Sequence, residues 1–458
     1  MYLSIPSMTD KSRQITLAAA MTDIDELHYY DWTFSRANTT YYTHGLHKYP
    51  ARMPPQIPGT LLNFFESQGE LEPGSTVYDP FSGSGTTAVE ARLNGHNAVA
   101  NDINPFACLL SRSKAIPLDI DTLEAARSDL FRGLSQTFEE IKNGGSTVEE
   151  LLSEQALEDA QTVSTDWFPQ PQLYQLLYTR EKLDRLEENK YDEDVIRFLR
   201  VCLAKTSRQV SYQRVNEFKR YRKSPEDRKS HNPNVQRELR DATNGNITRM
   251  KEYSSKVDHD LDTNIFTGDS RHILDSEHYP IGKSDADIVI TSPPYGDHQT
   301  TVAYGEFSTN ISLIAEGRDF EEMTAVDSRG LGGAESSSVS LTELKIESPS
   351  LHDTVESLRE KDGRSEDALA FFEDFVQVIE EVATITKPGQ PVAWVVACRR
   401  MSDHPIPMHQ ITRELCEDRG YTFEAELPRH IQFKTMPLEN PQGKTMVDEY
   451  ILVMRAPE

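Results

Sequence analysis

Three short stretches carry residues whose types and spacing could do chemistry. The first is Tyr78-Asp79-Pro80-Phe81-Ser82-Gly83-Ser84-Gly85-Thr86-Thr87. An apolar run enters two glycines one residue apart and then a helical pattern. Such glycines let the backbone approach a ligand closely, and the following helix N-terminus offers unpaired N–H groups. No lysine follows Gly85, so this is not a P-loop, and the full GxGxxG pattern is absent. The second stretch is AVANDINPF, in which Asp102 follows the glycines by about twenty residues. A carboxylate there can receive two ribose hydroxyls; read alone, Asp102 could also be a helix N-cap or a turn residue. Together the two features point to a nucleoside-containing cofactor. The third is TSPPYGDHQ, Thr291 to Gln299, after the apolar run Ile288–Ile290. Two prolines stop a strand ladder, and an aromatic follows. The stretch is either an ordinary strand exit or a rigid mount holding a flat substrate against Tyr295.

These residues need strands and turns to position them. Ser75 to Asn104 reads as strand, glycine turn, helix and second strand, the opening of a doubly wound α/β domain. Before it, Pro50, Pro54, Pro55 and Pro58 make an extended approach to a helix starting over Ile57–Phe65. Residues from about 120 to 200 turn helical and acidic. The α/β signal returns near Asn264 with IFTGDSRHIL and then ADIVITSPPY. TTVAYGEFSTN, ending at Asn310, reads as a polar and aromatic loop after the TSPPY turn, and His298 as either a nucleic-acid contact or an exposed loop histidine. The Gly/Ser-rich acidic stretch from about Glu316 to Glu366 reads as a mobile loop. Ala368–Thr386 has helical apolar spacing, and PVAWVVAC reads as a buried strand. YTFEAELPRHIQF and DEYILVMR read as an antiparallel pair closing the sheet edge. The expected organisation is an N-terminal segment 1–40 and an α/β core over 41–120 and 258–458. An insertion over 121–257 splits that core.

Charge and composition narrow the classes. No apolar run approaches the roughly eighteen residues of a membrane span. The N-terminus lacks a basic-then-apolar signal pattern. Cys108, Cys202, Cys398 and Cys416 are scattered, which suits a reducing cytosol and argues against a zinc site or disulfide framework. The 458 residues hold 74 Asp and Glu against 48 Lys and Arg, a net of −26. Such acidity disfavours polyanion binding in general and suits concentrated intracellular salt. Yet Lys205 to Lys256 holds 14 Lys and Arg against 6 Asp and Glu, a net of +8. This basic island is either a solvated helix face or a phosphate-contact surface built on Lys205, Arg208, Arg214, Lys219, Arg220, Arg222 and Lys223.

DPFSGSGTT, then NDINP, then TSPPY together resemble the amino-methylating DNA methyltransferases that use S-adenosylmethionine, and TSPPY most resembles the cytosine-N4 branch. The resemblance covers about 250 of the 458 residues. It implies a Rossmann-like methyltransferase core with a mixed, mostly parallel seven-stranded sheet and an inserted, mainly helical target-recognition region. By the same resemblance Asp79, Phe81, Gly83, Gly85, Thr86, Thr87 and Asp102 bind the cofactor. HKYPARMPPQIP resembles the segment that completes its methionine pocket, which brings in His47 and Tyr49, and FTGDSRHIL places Asp269 at the adenine. Ser292 Oγ and the Pro293 carbonyl are implied as acceptors for the target amine, with Pro294 fixing the turn and Tyr295 stacking on the base. No cysteine follows a proline, which argues against the carbon-5 cytosine mechanism. The implied partner is double-stranded DNA, with a separately encoded restriction endonuclease as a further one and no metal. Adenine-N6 methylation, RNA or protein methylation, and nucleic-acid binding without turnover are the alternative readings. The charge balance further resembles modification methylases of halophiles.

Overall fold

The structure is a computed structural model that describes residues 23–143, 148–163, 166–215, 217–218, 220–295, 303–333, 341, 346–361, 364–401, 404–431, 439–440, 443–444 and 448–458. Its centre is a seven-stranded sheet. The strands are β1 (Thr76–Asp79), β2 (Asn97–Asp102), β3 (Thr263–Thr267), β4 (Ile288–Thr291), β5 (Pro391–Ala397), β6 (Thr422–His430) and β7 (Asp448–Arg455). Their spatial order is β3-β2-β1-β4-β5-β7-β6. The first five are parallel, and β7 runs antiparallel between β5 and β6. The α/β class and the antiparallel closing pair expected from the sequence are present.

Alternation along the strands builds two cores, one on each face. Val77, Ala393, Val395, Ile451 and Val453 join one. Tyr78, Val392, Trp394, Val396 and Leu452 join the other. Because every one of these positions is buried, the strands read as continuous apolar runs. The chain runs from β1 through β2 to β3 in one direction and resumes with β4 on the other side of β1. Such a reversal leaves a crevice outside the carboxyl ends of the strands, the usual ligand position in open α/β sheets.

Two stretches read as loops contain helix. Tyr304–Glu316 is helical. Phe307, Ile311 and Ile314 recur at helical spacing and are buried. Asp327 caps the helix start by accepting the N–H groups of Gly305 (2.9 Å) and Glu306 (3.2 Å). Gly317 closes it in the left-handed conformation at φ 68°. The stretch 316–366 holds helices Phe320–Thr324, Val326–Arg329 and Pro349–Lys361. Leu351, Val355 and Leu358 bury one face of the last, a periodicity that the Gly/Ser-rich composition around it obscured. Residues 334–340 and 342–345 lie outside the described residues.

Between β2 and β3 the described chain is almost wholly helical, with Gln170–Asn189, Glu193–Val210 and Val235–Ser254 the longest elements. Two arginines join this region to the far end of helix Tyr304–Glu316. Arg180 donates to the Leu313 carbonyl at 2.8 Å and Arg200 to that of Ala315 at 2.9 Å. Both carbonyls lie in the last turn of that helix, where the Leu313 carbonyl also accepts the capping Gly317 N–H at 3.0 Å. Asp159 balances Arg180 at 2.6 Å, and Asp184 and Glu187 balance Arg200. Among the described residues no helix is long and apolar enough to cross a membrane.

Candidate active site

Four strand tips, those of β3, β2, β1 and β4, meet at the reversal in strand order, and one cavity opens over them. The β1 tip is Asp79, which is buried. Its Oδ1 accepts the Phe81 N–H at 3.0 Å and the Thr291 hydroxyl at 2.6 Å, so one carboxylate ties β1 to β4. Burial pushes its pKa up to about 6. Thr87, just inside the following helix, donates to the Ile290 carbonyl at 3.1 Å and repeats the tie.

The glycine turn is shaped by close approach. Gly83 and Gly85 have φ of 49° and 79°, where L side chains are strained. A Cβ on Gly85 would lie 2.7 Å from Ser111 Cα, because helix Pro105–Ala115 passes directly behind the turn. Lys114 on that helix is buried and donates to the Ser84 carbonyl at 2.8 Å. Desolvation pulls its pKa well below the usual lysine value.

Asp102 closes the turn from β2. Its Oδ2 accepts the Gly83 N–H at 2.8 Å and its Oδ1 the Asn104 N–H at 2.8 Å. Burial pushes its pKa up to about 6. Each carboxylate oxygen has a second lone pair, and the side chain lines the cavity. Asn101 beside it binds the tips together. Its amide donates to the Pro80 and Gly268 carbonyls at 3.3 and 3.2 Å and to Ser270 Oγ at 3.0 Å, while its oxygen accepts from the Tyr78 hydroxyl at 2.7 Å. Sequence reading missed Asn101, although an amide interrupting a buried apolar run was the available signal.

Tyr49, Phe81, Gly83, Thr86 and Asp102 line one side of the cavity, and Asp269, Ser292 and Pro294 another. Asp269 is engaged by Arg271, whose Nε lies 2.9 and 3.1 Å from its two oxygens. This contact, with hydrogen bonds from Arg271, holds the carboxyl below the usual range despite its burial. Tyr304 stacks on Tyr49, ring centres 5.7 Å apart, and completes the wall from a segment read as loop. The Asn104 amide donates to the Tyr49 hydroxyl at 3.2 Å.

Other residues singled out from the sequence sit elsewhere. His47 is in the core, not on the cavity wall. Its ring stands edge-on to Phe106 at 5.4 Å and Phe307 at 6.4 Å, and Nδ1 lies 2.5 Å from the Lys48 carbonyl. Burial lowers its pKa far below the ordinary histidine value, which keeps it neutral. Gly85 and Thr87 support the turn from behind, and Pro293 is buried. Tyr295 does not line the cavity; the Pro293–Pro294 turn brings its hydroxyl back to 2.9 Å from Ser292 Oγ.

The basic island divides. Arg208 is buried, its guanidinium 4.4 Å from the Phe307 ring centre and bonded to the Val215 and Glu217 carbonyls. Lys205 donates to Asn246 Oδ1 at 3.0 Å, and Lys223 to the Ser211 carbonyl at 2.7 Å. Arg220 lies over the Trp167 ring at 4.4 Å. Arg214 and Arg222 are exposed. Lys219 and His298 lie outside the described residues. The four cysteines are free, and no metal-binding cluster occurs among the described residues.

The glycine cradle, the inward carboxylate of Asp102 and the aromatic wall fit a nucleoside cofactor bound over β1 and β2. If Asp102 receives the ribose hydroxyls as a carboxylate, cofactor affinity is full above about pH 6 and falls as pH drops through that value. Titration calorimetry from pH 7.5 to 5 reads this, and Asp102→Asn is expected to bind more weakly with no such break. A break that persists in this variant would assign the titration to Asp79.

Comparisons with known proteins agree with this geometry. Residues 8–113 match the N6_N4_Mtase family, described as DNA methylase. Over 441 residues the chain is 30% identical to the type II methyltransferase M.MvaI of Kocuria varians, spanning 92% of this chain and 93% of that protein. Over 111 residues it is 35% identical to the type II methyltransferase M.MjaII of Methanocaldococcus jannaschii, spanning 24% of this chain and 19% of that one. The solved rRNA methyltransferase aviRa from Streptomyces viridochromogenes overlaps 90% of this chain and 89% of its own at 11% identity, with a TM-score of 0.30, too slight a likeness to bear on the site. The agreement with the Kocuria protein runs nearly end to end, and by it the chain belongs to the N6/N4 family of DNA methyltransferases.

Proposed function

We propose that the protein methylates the N4 amino group of a cytosine extruded from double-stranded DNA, with S-adenosylmethionine as methyl donor. The observation that carries this reading is Ser292, the first residue after β4, on the wall of the cavity that also holds Asp102 and the glycine turn. When bound, S-adenosylmethionine supplies an electrophilic sulfonium methyl.

The chain's own residues do the rest. Asp102 and the backbone of the glycine turn hold the nucleoside end. The exocyclic amine of cytosine is a poor nucleophile because its lone pair is delocalised into the ring. Ser292 Oγ and the Pro293 carbonyl accept its two N–H bonds, which favours a pyramidal nitrogen and localises that lone pair. The two prolines fix these acceptors in advance, so little reorganisation accompanies reaction. Tyr295, through its hydroxyl, orients Ser292 and leaves the serine oxygen a second lone pair for the substrate. A base within a duplex cannot reach this cavity, so it must be flipped out. The helical region between β2 and β3 is the part we assign to target recognition.

The test is mass spectrometry of nucleosides from unmethylated DNA incubated with the protein and S-adenosylmethionine. The net charge of −26 makes concentrated potassium chloride the first buffer to use. N4-methylcytosine is the expected product. N6-methyladenine would overturn the assignment of the base and keep the family.

A further inference from the structure

A short hairpin from the basic island is held against the helix that walls the cavity. Gln213 and Arg222 pair as an antiparallel bridge. The Arg214 N–H donates to the Tyr221 carbonyl at 2.8 Å, and the Lys223 N–H to that of Tyr212 at 2.7 Å. In such a ladder opposite residues share a face, so Arg214 and Tyr221 are cross-strand neighbours.

The hairpin is tied at both ends. At its base the Tyr212 N–H donates to the Trp167 carbonyl at 2.8 Å. Toward its tip the Arg220 N–H donates to Glu306 at 3.0 Å and its guanidinium to Asn310 at 3.3 Å. Phe218 meets Phe307 at 6.0 Å. Glu306 and Asn310 belong to the helix that begins at Tyr304, and Tyr304 is cavity wall. The hairpin and the cavity thus share the first turns of one helix.

What the hairpin leaves uncovered is unusual for this chain. Tyr221 is 52% exposed, and only Tyr29 and Tyr30 join it as exposed large hydrophobic residues among those described. Arg214 is exposed and makes no ion pair among the described residues. An uncovered ring beside an uncompensated guanidinium, in a chain of net charge −26, matches nucleic acid. An aromatic face stacks on any base, and a guanidinium meets the phosphate backbone.

We propose that Arg214 and Tyr221 seat the DNA duplex beside the cavity, Tyr221 stacking on a base next to the extruded one and Arg214 contacting a backbone phosphate. The proposal rests on the DNA-methylating reading above. Tyr221→Ala, Tyr221→Phe and Arg214→Ala, each in the full chain, test it against a fluorescent duplex from unmethylated plasmid. Melting temperature and S-adenosylmethionine affinity serve as controls.

Tyr221→Ala is expected to weaken duplex binding on the order of 10-fold or more. Tyr221→Phe should keep wild-type affinity, because the ring and not the hydroxyl does the stacking. Arg214→Ala is expected to weaken binding to all sequences alike and to reduce the slope of log affinity against log salt by about 1. Wild-type duplex affinity in Tyr221→Ala overturns the proposal. So does a parallel loss of cofactor binding, which would mark the hairpin as part of the fold. A wild-type protein that binds this duplex without methylating it contradicts the proposed reaction instead, and the variant affinities still score the hairpin.

Discussion

Replacing Ser292 by alanine is expected to lower methyl-transfer turnover on the order of 10²–10³-fold while leaving cofactor affinity unchanged, the size of effect seen when one preorganised polar group at a reacting centre is removed. Ser292 stands directly after β4, where the strand is locked to β1 through Thr291 and Asp79 at 2.6 Å. Its Oγ is held by Tyr295 at 2.9 Å, and the residue lines the cavity. Neither contact involves the glycine turn or Asp102, so the variant loses an acceptor for the amine and keeps the nucleoside site. Single-turnover rates beside calorimetric cofactor affinities read the split. A variant with wild-type turnover would remove Ser292 from the reaction, and a matching loss of cofactor binding would make it a structural residue.

Gly85→Ala is expected to abolish cofactor binding and to destabilise the fold by about 2–5 kcal/mol, summing left-handed strain and overpacking. The backbone there has φ 79°, and the added methyl would lie 2.7 Å from Ser111 Cα. Ser111 sits in the helix Pro105–Ala115 behind the turn, so relief requires the turn to move toward the cavity. That motion would displace Gly83, whose N–H is held by Asp102. Denaturant titration and cofactor calorimetry check the two parts separately. Gly95→Ala is the control for strain alone, because that glycine also has φ 79° but open space around its Cβ position.

The site's skeleton was legible because it is built from local signals. A glycine pair after an apolar run, an aspartate at the next strand end and a proline pair after a third strand can each be read within ten residues. The structure brings Asp79, Asp102 and Ser292 to neighbouring strand tips. What was not legible depends on distant packing. His47 is polar and close to Tyr49 in the sequence, yet Phe106 and Phe307 enclose it, and neither can be placed beside it from spacing alone. Arg208 looked like a phosphate ligand by charge, but its partners are a ring on another helix and nearby carbonyls. Helix Tyr304–Glu316 was hidden for a different reason. Its first turns are rich in Gly, Ser, Thr and Asn, and the contacts that hold its two ends come from residues distant in the chain, Asp327 at the start and Arg180 and Arg200 at the finish.

That helix has a thermodynamic consequence. One end, at Tyr304, touches the cofactor cavity through Tyr49. Its flank carries the Tyr212–Lys223 hairpin, and its other end is gripped by two arginines of the inserted region. A helix held at these three places that shifts for one ligand alters its fit to the other. On the proposed DNA-seating role of the hairpin, a shift of this helix on binding one ligand would link the two sites, and such linkage is symmetric: whatever factor DNA imposes on cofactor affinity, the cofactor imposes on DNA affinity. The order in which the two arrive does not change the free energy of the full complex.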